Sequence, residues 1–288
     1  MGAEESQEVD LRWACLGQGI NPLRYELLSE FMSSHDLSNT FEYLDTDLEN
    51  FEANFVKAQK EYDQIRIERP FAFEVVKKFK SNELLMTKLS SADTVFKDEQ
   101  NKWWCRSAMY LGFSGAINAL AFQIDRSSTV FIIGSGSAAR VSVLVCWRMG
   151  FKNFIVSGRN FSHLVELKNS LQKNLLGIRI ECIPYEKIIQ LPGETGLVIN
   201  ATPHSDNNEV VQDLYYFNYM KKNGLLVDLN FSPRVTPLIQ EYLDIYGEVI
   251  YGNQVAAYSD AIWIKWVLGK DFDPLELSYI YREGIDER

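Results

Sequence analysis

The segment Ser128–Phe151, STVFIIGSGSAARVSVLVCWRMGF, restricts the fold more than any other part of the chain. Val130 to Ile133 is an apolar run of the length of one buried strand, and it stops at Gly134 before a string of small residues and a helix-spaced apolar series. Gly134-Ser135-Gly136-Ser137-Ala138-Ala139 fits the pattern G-x-G-x-x-G/A. In that pattern the first glycine permits a tight turn, the second lets the backbone approach a pyrophosphate, and the small residue at Ala139 allows close packing of helix on strand. Free N–H groups at the helix start then face the phosphates. A purely structural strand-to-helix turn can carry the same letters, but the strand before and the helix after favour a dinucleotide.

The following strand, NFIVSGRN, ends in Ser157-Gly158-Arg159-Asn160. A site selective for NAD places Asp or Glu here for the ribose 2′-hydroxyl, whereas a guanidinium suits a 2′-phosphate, so NADP is favoured over NAD. The plain alternative is an arginine on a solvated loop. His163 is in reach of the same phosphate and equally reads as an exposed helix residue.

Around this unit the chain alternates strands and helices. Residues 11–21 read as a strand, 22–34 as a helix opened by proline, 39–47 as a strand, LENFEANFVKAQKEY as a helix and 63–71 as a third strand, which favours a mostly parallel sheet. ADTVFKDEQNKWWCRS reads as a hairpin turning at Asp98–Asn101, followed by a helix over 107–123. From Thr129 a β-α-β-α-β series occupies 129–134, 137–149, 152–157, 161–173 and 178–183, with later strands at 196–202, 224–230 and 248–252 and a closing helix QVAAYSDAIWIKWVLG. No internal repeat is evident.

With 288 residues the chain is long enough for two small domains sharing a cleft. Its 29 Lys+Arg against 39 Asp+Glu give a net charge of −10, which disfavours nucleic acid, because that affinity rests on clustered cations releasing counterions. There is no apolar run of membrane-spanning length, and MGAEESQEVD has no signal-like apolar region and is a poor context for myristoylation, so a soluble, cytoplasmic protein is expected. Cys15, Cys105, Cys146 and Cys182 lack CxxC or zinc-like spacing with His35, His163 or His204, so neither disulfides nor a metal site is indicated.

These segments together resemble the shikimate/quinate dehydrogenase family. VFIIGSGSAARVSVLVCWRMGFKNFIVSGRN is similar to that family's strand, GAGGAAR turn and NRT loop; LVINATP (197–203) to its INATP; VDLNFSPRVTPLI (227–239) to its VxDxxYxPxxTPLL; and GNQVAAYSDAIWIKWVLG (252–269) to its GxxMLVxQAAxxFxxWTG. The resemblance runs through almost the whole chain and is weaker in the N-terminal half. It implies an α/β protein of two domains, an N-terminal α/β substrate domain (1–110, joined by C-terminal helices 253–288) and an NADP-binding Rossmann domain (111–252), with hydride transfer to a small molecule in the cleft between them. It also implies cofactor contacts at Gly134, Ser135, Gly136, Ser137, Ala138, Ala139 and Arg140, at Gly158, Arg159 and Asn160, at Asn200, Ala201, Thr202 and Pro203, and at Leu229, Phe231 and Gly252. The family tolerates monomers and homodimers.

The substrate half departs from the pattern. Matched on Pro70, the family's NVTIPxK lysine, its proton-transfer residue, becomes Ala72. Matched on Gly112-Phe113, the aspartate of YNTDGxGF becomes Met109 and its asparagine Ser107. The AVNT asparagine is matched by Asp93, the closing-helix glutamine by Ser259, and SxSPxxHN by GINPLRYE, in which only the proline is kept. Strand alternation puts Ile65 and Ile67 on one face and Arg66 and Glu68 on the other, so two ionisable groups face the expected pocket.

Arg66 suits a substrate carboxylate or phosphate, and Glu68 suits an amine or serves as a general base; equally, the two pair with each other or with nearby charges. Glu68, Asp93 and His204 are the candidates for handling a proton. Arg66, Arg106, Tyr258 and Ser259 are the candidates for holding substrate, with helix packing the alternative for Tyr258. Three functions compete: an NADP-dependent oxidoreductase for a small, charged, non-shikimate substrate of specialised metabolism; a non-catalytic binder of NADP(H) or a metabolite that reports to a partner; and a non-redox enzyme reusing the cleft.

Overall fold

The computed structural model describes residues 12–37, 39–79, 88–98, 100–120, 124–204, 217–245 and 247–288. The expected ends of two elements, Leu11 of the first strand and residues 121–123 of the helix after the hairpin, lie outside them, as does the N-terminal decapeptide.

The first sheet is built from β1 (Arg12–Gly17), β2 (Thr40–Asp45), β3 (Gln64–Ile67), β4 (Thr94–Lys97) and β5 (Trp103–Arg106), in the order β2-β1-β3-β4-β5. Helices α1 (Leu23–Ser34) and α2 (Phe51–Glu61) connect its first three strands, which are parallel, whereas the hairpin β4-β5 adds two antiparallel pairings. The expected mostly parallel sheet is therefore mixed, since a strand joined to its neighbour by a short polar turn has no room for a crossover. β3 is shorter than the sequence implied. The chain leaves the sheet at Glu68, and a helix the sequence reading missed, α3 (Ala72–Lys78), follows Pro70.

The second sheet holds β6 (Thr129–Ile133), β7 (Asn153–Ser157), β8 (Arg179–Ile183), β9 (Thr195–Asn200), β10 (Met220–Asp228) and β11 (Glu248–Ile250), all parallel. Their order, β8-β7-β6-β9-β10-β11, reverses direction between β6 and β9, which is the doubly wound arrangement with its ligand crevice at that switch point. β6 and β9 are buried nearly throughout, as expected of strands covered on both faces. Helices α5 (Ser137–Arg148), α6 (Phe161–Asn174) and α7 (Pro237–Asp244) flank the sheet, and a 3-10 turn, Tyr185–Gln190, follows β8.

Two helices join the halves. α4 (Ala108–Asn118) packs along α8 (Gly252–Leu268), which ends at Gly269 in the left-handed region (φ 65°) and leads to α9 (Pro274–Asp286). The expected domain boundary at residues 110 and 111 falls inside α4. From α4, Tyr110 and Phe113 join the core of the second sheet together with Val255 of α8. From α8, Trp263 and Ile264 join Trp13, Tyr25 and Tyr281 on one face of the first sheet. On the opposite face Ile65 and Ile67 pack against α2 through Phe51 and Phe55. Alternation along β3 thus holds. Among the described residues no helix is long and apolar enough to cross a membrane.

The α4–α8 contact depends on Gly112. A Cβ built there lies 2.2 Å from Ser259 Oγ and 2.4 Å from Ser259 N, and the second of these is backbone that cannot rotate away. We expect Gly112→Ala to destabilise the protein by about 1–3 kcal/mol through overpacking, read as a lower urea midpoint at unchanged slope.

Candidate active site

A cleft of about 690 Å³ runs between the two sheets, from the turn after β6 to the ends of β1 and β3. Its walls divide into a half built from backbone and a half built from charged side chains.

In the first half, Gly134 has φ 125°, and a Cβ there sits 2.9 Å from the Ala201 carbonyl, so only glycine lets the β6 and β9 ends close on each other at the switch point. Gly136 is the opposite case: a Cβ there meets nothing within 4 Å, and the residue opens onto the cleft. It also begins α5, whose first turn has no side-chain cap. Ser135, Ser137 and Ala138 line the cleft around it. An uncapped helix start leaves backbone N–H groups needing acceptors, and here they are presented to an open cradle, which fits the pyrophosphate of a dinucleotide. α6 contrasts: Asn160 Oδ1 accepts from Ser162 N at 3.1 Å and His163 N at 3.3 Å, so that helix start is closed by its own cap.

Gly158, Arg159, Asn160 and His163 also line the cleft, with Arg159 and His163 exposed at its mouth. Tyr185, absent from the sequence expectations, stands beside Arg159 and takes its backbone N–H on the phenol oxygen, while burial raises its pKa. These donors suit a 2′-phosphate.

The loop after β9 is held by a buried carboxylate. Asp228, at the end of β10, accepts from Asn200 Nδ2 (3.2 Å), Thr236 Oγ1 (2.7 Å) and Asn230 Nδ2 (2.7 Å). Asn200 Oδ1 in turn accepts from Thr202 Oγ1 at 2.6 Å, and Asn230 Oδ1 from His204 N at 2.7 Å. Ala201 to His204 are thereby fixed along one wall, with Leu229, Phe231 and Gly252 nearby. Asn200 itself is buried behind the wall, and Ala139 is fully buried on the inner face of α5, as its packing role requires. Arg140 does not reach the cleft: its Nη1 donates to Ser170 Oγ at 2.8 Å and its guanidinium lies 5.1 Å from the Phe73 ring.

The second half centres on Asp260 of α8, which is fully buried. Arg24 grips it with Nε at 2.8 Å and Nη2 at 2.7 Å, Tyr281 donates its hydroxyl at 2.8 Å, and Arg66 Nη2 lies at 3.4 Å. Burial opposes the charge on Arg24, but the adjacent Asp260 outweighs it and keeps the group protonated. Arg66 is 3% exposed, donates from Nη1 to Thr94 Oγ1 at 2.8 Å, and rests 4.8 Å from the Trp263 ring centroid. Its Nε has no hydrogen-bond partner among the described residues. Glu68, half-buried at the end of β3, receives the Tyr25 hydroxyl. Burial and the Glu68 carboxylate push the Tyr25 phenol up, so it stays a donor, and the same two causes raise the Cys15 thiol behind it.

Several expected contacts lie elsewhere. Asp93 borders the cleft, but its carboxylate closes the start of α4, accepting from Ala108 N and Met109 N at 2.8 Å each, with Ser107 Oγ at 3.3 Å; a carboxylate so engaged is a helix cap rather than a proton carrier. Arg106 stacks on Trp266 and Phe96, 5.2 and 5.5 Å from their ring centroids, away from the cleft. Tyr258 packs over Gly115, also outside it. Ser259 borders the cleft but donates to the Val255 carbonyl at 2.7 Å. Ala72 and Met109, which the sequence expectation matched to a lysine and an aspartate of the resembled family, both face the cleft. Arg24, Tyr25 and Asp260 were not singled out from sequence; an Arg-Tyr pair opening a helix after Asn21-Pro22 is the only local signal of them. Among the described residues no cluster of His, Cys, Asp or Glu is placed to hold a metal ion.

No protein-family model matches the chain. A shikimate dehydrogenase (NADP(+)) from Gloeothece citriformis is 28% identical over 186 residues, 62% of this chain, and the match spans 63% of that relative's length. Among solved structures, shikimate 5-dehydrogenase from Thermus thermophilus in complex with NADP(H) and shikimate superposes with a TM-score of 0.75 at 20% identity, covering 95% of this chain and 99% of that one. Quinate dehydrogenase from Corynebacterium glutamicum in complex with NAD gives 0.80 at 14% identity with the same coverage.

Asp260 is a buried carboxylate whose neighbours are two arginines. Asp260→Asn leaves both partly unpaired, and we expect a loss of about 3–5 kcal/mol of unfolding free energy in chemical denaturation.

Proposed function

We propose that this chain, which is similar in sequence and fold to shikimate and quinate dehydrogenases, is an NADP(H)-dependent oxidoreductase for a small charged molecule other than shikimate. The supporting observation is the meeting in one cleft of the uncapped α5 start at Gly136 with the charged floor made by Arg24, Arg66 and Glu68. When bound, the dinucleotide supplies a hydride donor or acceptor at its nicotinamide ring.

The chain's own residues bind and orient. Gly134 to Ala138 take the phosphates on backbone N–H groups, and Arg159 with Tyr185 and His163 takes the 2′-phosphate, which is why NADP is preferred to NAD in this reading. The Asp228 network holds residues 201–204 rigid against the ring side of the cleft, so that reacting atoms are positioned without reorganisation. Glu68 takes or returns the substrate proton, with His204 on the opposite wall as a second candidate. Ala72 carries no proton and Met109 cannot pair with a lysine, so shikimate finds neither of the family's proton-transfer groups here.

Titration with NADPH, followed by nicotinamide fluorescence, is expected to saturate, and Arg159→Ala to weaken NADPH by about tenfold or more relative to NADH, the size of one lost charge-assisted hydrogen bond. Equal losses for the two cofactors would remove Arg159 from the 2′-phosphate role. With shikimate and NADP we expect no turnover above background; a robust rate would refute the non-shikimate pocket.

Ala72 and Met109 in the cleft also favour a second function, a non-catalytic NADP(H) or metabolite binder. NADPH binding without turnover of any reducible small acid, ketone or imine would select it.

A further inference from the structure

The charged floor of the cleft has a definite balance. Arg24, Arg66 and Arg69 bring positive charge to its substrate end, and Glu68 and Asp93 negative, with Asp260 immediately behind and His204 across from them. Two of these are committed, and a third lies outside the floor. Asp260 is consumed by Arg24, Arg66 and Tyr281, and it neutralises one of the two arginines. Asp93 is consumed by the start of α4. Arg69 is exposed at the edge.

What remains on the floor is one arginine charge in excess and one carboxylate. The excess charge is shared by Arg24, one-fifth exposed to the cleft, and Arg66, whose buried Nε has no partner among the described residues. The carboxylate is Glu68, with one oxygen receiving the Tyr25 hydroxyl. An unpaired N–H in so dry a place is costly until an acceptor arrives. A carboxylate held by one neutral donor likewise retains lone pairs for a second, and a cationic donor satisfies them best.

We propose that this floor recognises a small zwitterion: the ligand's carboxylate is taken by Arg66 and Arg24, and its ammonium by Glu68. The inference rests on the reading of this cleft as a substrate site and names the class of that substrate as an amino acid, where a hydroxy acid would leave the Glu68 charge unmatched. The Arg24-Asp260-Tyr281 contact holds the anion side rigid, and the Tyr25 hydroxyl orients Glu68, so both charges are presented without rearrangement. Specificity against singly charged analogues follows, because each leaves one buried or half-buried ion unpaired.

The test is calorimetric titration of the intact protein, with and without NADPH, using the unbranched amino acids from glycine to 5-aminovalerate, the carboxylic acids of the same chain lengths, and the corresponding alkylamines. One chain length is expected to bind at least about tenfold tighter than both its matched acid and its matched amine, as expected for a charge-assisted contact. In Glu68→Gln, which keeps the shape and still accepts from Tyr25, the gain over the matched acid should vanish while acid binding persists. The proposal is overturned if no amino acid exceeds its matched acid at any length, if nothing in the series saturates at millimolar concentration, or if Glu68→Gln keeps the amine-dependent gain. Amino-acid selectivity without any NADPH binding would uphold this inference while removing the cofactor reading, so the two fail separately.

Discussion

The buried carboxylate of Asp260 is the contact on which the charged half of the cleft turns. It sits on α8, yet its partners come from α1, β3 and α9, so one charge ties four elements from both ends of the chain together. A carboxylate moved from water into such a place costs several kcal/mol, recovered only when good geometry and further hydrogen bonds surround it. The bidentate Arg24 and the Tyr281 hydroxyl meet that condition. Arg66 is left in a looser contact, held by Thr94 and the Trp263 face, with a donor still unmet.

The two walls of the cleft are built on different physics. On the wall around the β6 turn the groups offered are backbone N–H groups, and what matters is where side chains are missing: Gly134 to let strand ends meet, Gly136 to leave the helix start open. Asp228 serves that wall as scaffolding, because a buried carboxylate with four hydrogen bonds from three residues immobilises the loop that follows β9. On the opposite wall the groups offered are long charged side chains, whose reach and pairing depend on every neighbour. Ala72 and Met109 add apolar surface to this part of the cleft, and Arg24, Arg66 and Glu68 supply its charge.

Much of this was legible in the residues. The glycine turn, the alternation of strands and helices, the hairpin at Asp98 and the segregation of Ile65 and Ile67 from Arg66 and Glu68 all follow from local periodicity and backbone sterics, and the structure has them. Position in a motif was a poorer guide to what a side chain touches. Arg140 follows the turn directly but leans on Ser170 and Phe73, since one helical residue later the side chain points to another face. Arg106 and Tyr258 found aromatic and glycine surfaces to cover, and Asp93 found unsatisfied N–H groups beyond the hairpin at the start of α4. Each is a polar or amphipathic residue whose nearest unmet partner was set by packing.

The sequence by itself determined the doubly wound sheet, the glycine turn between β6 and α5 and the segregation of Arg66 and Glu68 from Ile65 and Ile67, because these depend on residues within a few positions of one another. Only the tertiary structure decided that Arg24, Arg66 and Tyr281 share Asp260, that Tyr25 holds Glu68, and that Asp93 is spent on a helix. Those outcomes depend on which ions and donors are brought within about 3 Å in a dry interior, where Coulomb and desolvation terms are large and opposite. Arg24 and Asp260 are separated by 236 residues along the chain, and no local pattern carries such a pairing.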